Sequence, residues 1–179
     1  MSPEAVLRFW FEEIDPKAWW RKDADFDAMV AERFGGLLQR AAACELWHWR
    51  ASAEGRLAEI LVLDQFSRNI HRDTPLAFAQ DPLALALAQE AVAGGHDAAL
   101  PPARRAFVLM PYMHSESTAV HEEAMRLFSH PELAFNLDFE RRHKAIVDRF
   151  GRYPHRNAIL GRASTAEEIA FLQQPGSSF

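Results

Sequence analysis

The segment Arg149-Phe150-Gly151-Arg152-Tyr153-Pro154-His155-Arg156-Asn157 packs cationic, imidazole and amide donors into one short stretch. Gly151 and Pro154 fix its backbone, and fixed loops carrying polar side chains are good places for a site. Phe150, Tyr153 and Pro154 interleave with the charges, so the segment should pack rather than lie free in water. Just before it, Phe139, His143, Ile146 and Phe150 follow the i, i+4, i+7, i+11 spacing of one helix face. That places His143 on an inward, apolar stripe. A lone inward histidine is more often a hydrogen-bond partner in the core than a catalyst, but this one directly precedes the cationic loop. Histidine is also the side chain whose ordinary pKa, about 6.5, suits proton transfer near neutrality.

Two other stretches carry similar chemistry. Leu57, Ile60, Leu61, Asp64 and Arg68 continue one helical stripe, with Gln65 and Asn69 beside it. Asp64 and Arg68 one turn apart form an ordinary i, i+4 ion pair in one reading. In the other, the planar fork of Arg68 grips a carboxylate or phosphate. In Met110-Pro111-Tyr112-Met113-His114-Ser115-Glu116, proline removes a helical N–H and is expected to break or kink the helix there. His114 and Glu116 are an acid/base combination at that break. Ser115 next to His114 is better read as a cap than as a nucleophile.

Competing chemistries fit less well. Glu140-x-x-His143 and Glu45-x-x-His48 have the spacing of di-iron bundles, but two more facing glutamates would be needed. Arg141, Arg142, Lys144, Arg149, Arg152 and Arg156 with Tyr153 could contact RNA. Against that, Lys+Arg is 20 and Asp+Glu 25, giving −5, and acidic residues interrupt the patch. Nucleic acid is therefore a minor candidate. The single cysteine, Cys44, excludes a disulfide framework and reads as a small core residue on a helix. Trp10, Trp47, Trp49, Phe128 and Phe135 read as core.

Holding these residues in place falls to helices. With 179 residues, 49% hydrophobic and 25% charged, the chain is globular rather than disordered. The start of the chain lacks the basic-apolar pattern of a secretory signal, and no apolar run spans a bilayer, so a cytoplasmic protein is expected. No hairpin signal separates alternating runs, which argues against strands. Ser2-Pro3, Thr74-Pro75, Asp81-Pro82, Pro101-Pro102 and Pro131 mark helix starts, and Gly94-Gly95 and Gly151 mark ends. A helix from about Asp25 to Ala43 is weakened by Gly35-Gly36. The helix from about Ser52 or Glu54 to Asn69 is apolar nearly all round and should be central. Ser164-Thr165-Ala166-Glu167 reads as a capping box for the last helix. Residues 1–174 are expected to form one helical domain, with 175–179 a loose tail.

Leu63-Asp64-Gln65-Phe66-Ser67-Arg68-Asn69-Ile70, Met110 through Glu116, and His143 through Asn157 to Leu160-Gly161-Arg162 occur in that order. With Ser164-Thr165 and Glu167-Glu168 following, they closely resemble the bacterial family known as domain of unknown function 924. The resemblance covers essentially the whole chain. Ser67 stands where that family usually has proline. The family is grouped with tetratricopeptide-like proteins. The resemblance therefore implies an all-α chain of antiparallel helical hairpins in a tetratricopeptide-like array, with a concave face and no established activity. It singles out Asp64, Gln65, Arg68, Asn69, His114, Ser115, Glu116, His143, Arg149, Arg152, His155, Arg156 and Asn157.

The resulting expectation is a polar, cationic pocket for an anionic small molecule. His114, Glu116 and His143 would supply acid/base capacity, and the other residues of that set would bind. No cofactor or metal is called for. The alternative is a scaffold whose concave face clamps a peptide or protein partner.

Overall fold

The computed structural model describes residues 1–179, and its regular elements are all helices, without strands. Eight helices carry the fold: α1 (Pro3–Arg8), α2 (Ala24–Ala42), α3 (Ala53–Leu61, continuing through Val62–Phe66 to Ser67–Ile70), α4 (Asp81–Ala93), α5 (Pro102–Met113), α6 (Thr118–Phe128), α7 (Ala134–Phe150) and α8 (Ala166–Leu172). The chain divides into two compact units. One comprises Met1–Arg72 and Leu76–Pro111, the other Asp73–Pro75 and Tyr112–Phe179. No helix is long and apolar enough to cross a membrane.

In the first unit α3 is the central element, touched by α1, α2, α4 and the 3-10 turn Trp47–Ala51. Its all-round apolar sequence explains this. Leu57, Ile60, Leu61, Val62, Leu63 and Phe66 are all fully buried. Ser52 caps its N-terminus through the Gly55 N–H. Gly55 is required there, because a Cβ would fall 2.0 Å from the Trp49 carbonyl oxygen. Over Val62–Phe66 the hydrogen bonding switches to the wider π pattern. Such bulges inside α-helices often sit at functional positions, since they rotate the following side chains. Asp64 and Gln65 lie on this bulge.

The helix expected over about Asp25 to Ala43 forms and runs unbroken from Ala24 to Ala42, because an Asp23 cap, and Val30, Phe34, Leu37 and Leu38 buried in the core, outweigh the penalty of Gly35-Gly36. Other local expectations are corrected. Helix α5 passes through Pro111 and ends only at Met113. Cys44 is exposed and in the left-handed conformation (φ 59°), where it terminates α2 with its N–H on Ala41 O. Trp47 and Phe135 are exposed, whereas Trp10, Trp49 and Phe128 are core. The capping box is displaced by one residue: Thr165 caps the Glu168 N–H and the Glu168 carboxylate returns to the Thr165 N–H.

In the second unit α6 and α7 pack on each other across the short Ser129–Leu133 connection. Gly151 ends α7 in the left-handed conformation, φ 68°. The chain then makes the 3-10 turn Pro154–Arg156, which leads towards α8. Tyr153 is completely buried and packs with Ile146, Val147, Phe150 and Phe171. After α8, Gly176 (φ 78°) turns the backbone, and the Ser177 hydroxyl donates to Leu172 O at 3.2 Å.

Candidate functional site

In the first unit the polar residues of α3 form one network. Arg68 Nη1 lies 3.0 Å from Asp64 Oδ1 and donates to Asp64 O at 2.8 Å. Its two terminal nitrogens also grip the Asp81 carboxylate at 2.9 and 3.0 Å. The neighbouring Gln65 amide donates to Asp64 Oδ2 at 2.6 Å. Asn69 donates to Asp27 Oδ1 on α2 at 2.8 Å, and Arg72 pairs with the same carboxylate. Asp64 is 1% exposed, so its charge is held by Arg68 and Gln65 rather than by water. Asp81, expected to cap α4, serves as the partner of Arg68. A recess of about 240 Å³ lies elsewhere in this unit, lined by Leu38, Gln39, Ser67, Ile70, His71 and Leu76 among others. It is smaller than ordinary ligand pockets and contains none of the candidate side chains.

The second unit brings the remaining candidates around Tyr153. The Tyr153 N–H donates to Glu116 Oε1 at 2.7 Å, and its hydroxyl donates to Met113 O at 2.5 Å. Glu116 is gripped at both oxygens by Arg162, at 2.6 and 2.9 Å. Burial opposes ionisation of Glu116, but Arg162, the Tyr153 N–H and nearby Arg156 outweigh it and hold the carboxyl below its ordinary range. Arg162 also donates to Asn157 Oδ1 and Tyr153 O, and Asn157 donates to Ser164 Oγ. Arg156 donates to His114 O at 3.0 Å and stacks its guanidinium 4.7 Å from the Tyr153 ring centre. Ser115 Oγ accepts the Ser117 N–H, the local capping role expected of it.

Two arginines of the expected cationic set face α8. Arg149 pairs with Glu167, and Arg152 forms a two-pronged pair with Glu168 at 2.7 and 2.8 Å. Arg152 and the Thr165 N–H hold Glu168 down to about 2. Arg142 pairs with Asp138, and Lys144 with Glu122 and Asp148, so two of the cations on α7 are matched by carboxylates.

Histidines also pack around Tyr153. His143 donates from Nδ1 to Phe139 O at 2.8 Å, one turn back on α7. This fixes the tautomer and leaves Nε2 as the acceptor nitrogen. Its ring lies 5.8 Å from that of Tyr153, and His155 packs on Tyr153 at 5.6 Å. Burial drives the His143 pKa down to about 3. The Phe139 hydrogen bond opposes this, and nearby His114, His121 and His155 add to it. His143 is thus a neutral, inward acceptor. The Phe179 ring lies almost parallel on it, with centres 3.7 Å apart and planes at 22°.

His121 and Glu140 complete the cluster, and sequence reasoning gave neither a place in the expected set. His121 Nδ1 is 2.6 Å from Glu140 Oε1, and both side chains are fully buried. Its Nε2–H donates to Ser115 O at 2.8 Å and lies 3.1 Å from the Tyr153 oxygen. Burial pushes the Glu140 carboxyl up, partly offset by His121, and Glu140 Oε2 is buried without a hydrogen-bond partner. The stripe test that found His143 also finds His121, which shares an inward face with Ala124 and Phe128. Glu140 faces His121, so the Glu140-x-x-His143 spacing is that of a hydrogen-bonded pair and its neighbour. No three ligating side chains converge into a metal site anywhere in the chain. Arg162, also outside the set, has Glu116 as its partner.

A solved structure of a protein of unknown function from Agrobacterium tumefaciens superposes with a TM-score of 0.90 at 40% identity, covering 96% of each chain. No curated protein matches. Residues 6–176 match the family described as bacterial protein of unknown function (DUF924), and the chain belongs to that family.

Proposed function

We propose that the second unit binds an anionic small molecule against the histidine cluster around Tyr153, with His143 as its hydrogen-bond acceptor and proton carrier. The observation that carries this reading is the state of His143. It is buried, fixed in one tautomer, and offers Nε2 within a group of four histidines. Arg156, stacked on Tyr153 beside them, supplies the cationic partner. An anion placed beside an imidazole favours its protonated form. Binding would therefore raise the His143 pKa from about 3 towards the range in which it transfers protons. Glu116, Arg149 and Arg152 act as positioning residues, because their charges are matched within the unit. Asp64, Gln65, Arg68 and Asn69 play the same part in the first unit.

The test is a thermal-shift series with inorganic phosphate, sulfate and small carboxylates on the wild type, His143→Gln and Arg156→Gln. A ligand at a hundred times its dissociation constant adds about 2.7 kcal/mol of stability, which moves the midpoint of a chain this long by roughly 5–10 °C. A shift lost in both variants supports the site. A shift retained in both refutes it.

A further inference from the structure

Three rings around Phe179 form a box. His143 is its floor at 3.7 Å, and Tyr153 and His155 are walls at 6.3 and 5.8 Å, with ring planes at 79° and 78° to that of Phe179. The two edge-on contacts have a geometry that aromatic rings prefer, and the contact with His143 is closer and nearly face to face. Phe179 itself is 55% exposed, so its contact is one-sided. The segment that delivers it is anchored behind the ring. Gly176 makes the turn in a left-handed conformation, and buried Ser177 holds the end of α8 through Leu172 O. Release of the ring therefore requires no change in α7 or α8.

We propose that this box is a subsite for a planar aromatic ring and that residues 175–179 are its built-in cover, with Phe179 occupying the place of the ligand's ring. This rests on the anion-site reading above and narrows its ligand to an anion that carries an aromatic or heteroaromatic ring. Ring and cover compete for the same face of His143. The ring above that face is aromatic and half-exposed, which is the character of an exchangeable occupant rather than of a core residue. Arg156, on Tyr153, would then meet the anionic group.

The probes are phenyl phosphate and inorganic phosphate, applied to the wild type, Phe179→Ala, Ser177→Ala and His143→Gln. Binding is followed through the His143 imidazole proton resonances. Exposure is followed through the rate at which diethyl pyrocarbonate modifies His143, read by peptide mass. Modification is expected to be at least tenfold faster in Phe179→Ala, and faster in Ser177→Ala, where the ring is kept but its anchor is cut. Phenyl phosphate is expected to bind Phe179→Ala at least tenfold more tightly than inorganic phosphate does, and more tightly than it binds the wild type. Unchanged modification in both tail variants overturns the cover. Equal affinity for the two probes in Phe179→Ala overturns the ring subsite. If inorganic phosphate binding is then still lost in His143→Gln, the anion site stands without it. Binding of neither probe to any of the proteins overturns both readings.

Discussion

Replacing His143 with glutamine should flatten the acid side of the stability profile. The folded chain holds His143 neutral down to a pKa of about 3, because its ring is buried under Tyr153 and Phe179 and faces His114, His121 and His155. In the unfolded chain the same imidazole titrates at about 6.5. Between these values the unfolded state binds a proton that the folded state does not. The contribution of His143 is therefore complete above pH 6.5 and falls as pH falls through that window. Taking the pH from 7.5 to 5 removes about 2 kcal/mol by this route, and any folded pKa below about 4 gives the same figure. Glutamine keeps a side-chain amide that can donate to Phe139 O but does not titrate. Urea unfolding of both proteins at the two pH values gives the double difference, in which the other titrating groups largely cancel. A wild-type loss exceeding the variant's by about 2 kcal/mol, or roughly 4–8 °C in thermal midpoint, is expected. Parallel losses would refute the reasoning, as would a folded-state His143 resonance titrating near 6.5.

Two other substitutions test the frame around the sites. Arg68→Ala removes the fork shared by Asp64 and Asp81 and takes the cationic partner from the buried Asp64. A loss of about 3 kcal/mol is expected from urea unfolding, as for other buried pairs broken on one side. Gly55→Ala should destabilise by well over 1 kcal/mol, because the new Cβ meets the Trp49 backbone. Gly36→Ala on α2, with nothing within 4 Å, should instead gain about 0.5–1 kcal/mol in the same assay.

What could be read in advance follows the range of each interaction. The central place of α3 was legible because burial on all sides leaves its mark residue by residue in Leu57 to Phe66. The end of α7 was legible because Gly151 adopts a conformation that other residues resist. The inward face of His143 was legible from its spacing. The π bulge at Val62–Phe66 was not, since no residue type marks it. Nor was the continuation of α5 through Pro111, where burial of Tyr112 and Met113 outweighs the missing hydrogen bond. Cys44 was misplaced because its apolar character was weighed and its position just beyond α2 was not.

The cationic loop shows the limit of local reading most clearly. Arg149 and Arg152 stand in a run of donors, yet their carboxylates, Glu167 and Glu168, lie on the next helix. Glu116 meets Arg162 across 46 positions of sequence. Density of like charge along the chain therefore says little about the field at a site when each fork closes on a partner from another element. Arg156 donates to the His114 carbonyl and lies over the face of Tyr153, with Glu116 close enough to feel its charge. The same cluster around Tyr153 holds His143, whose pKa an anion beside it would raise. Recognition of an anion there would depend less on a standing positive potential than on protonation that accompanies binding. Proton uptake on ligand binding, measured in two buffers of different ionisation enthalpy, distinguishes the two. An opposite charge beside a titrating group shifts its pKa by about 1–3 units, so from about 3 uptake is expected at about pH 5 rather than at neutral pH. Binding at that pH without uptake would return the charge to the arginines.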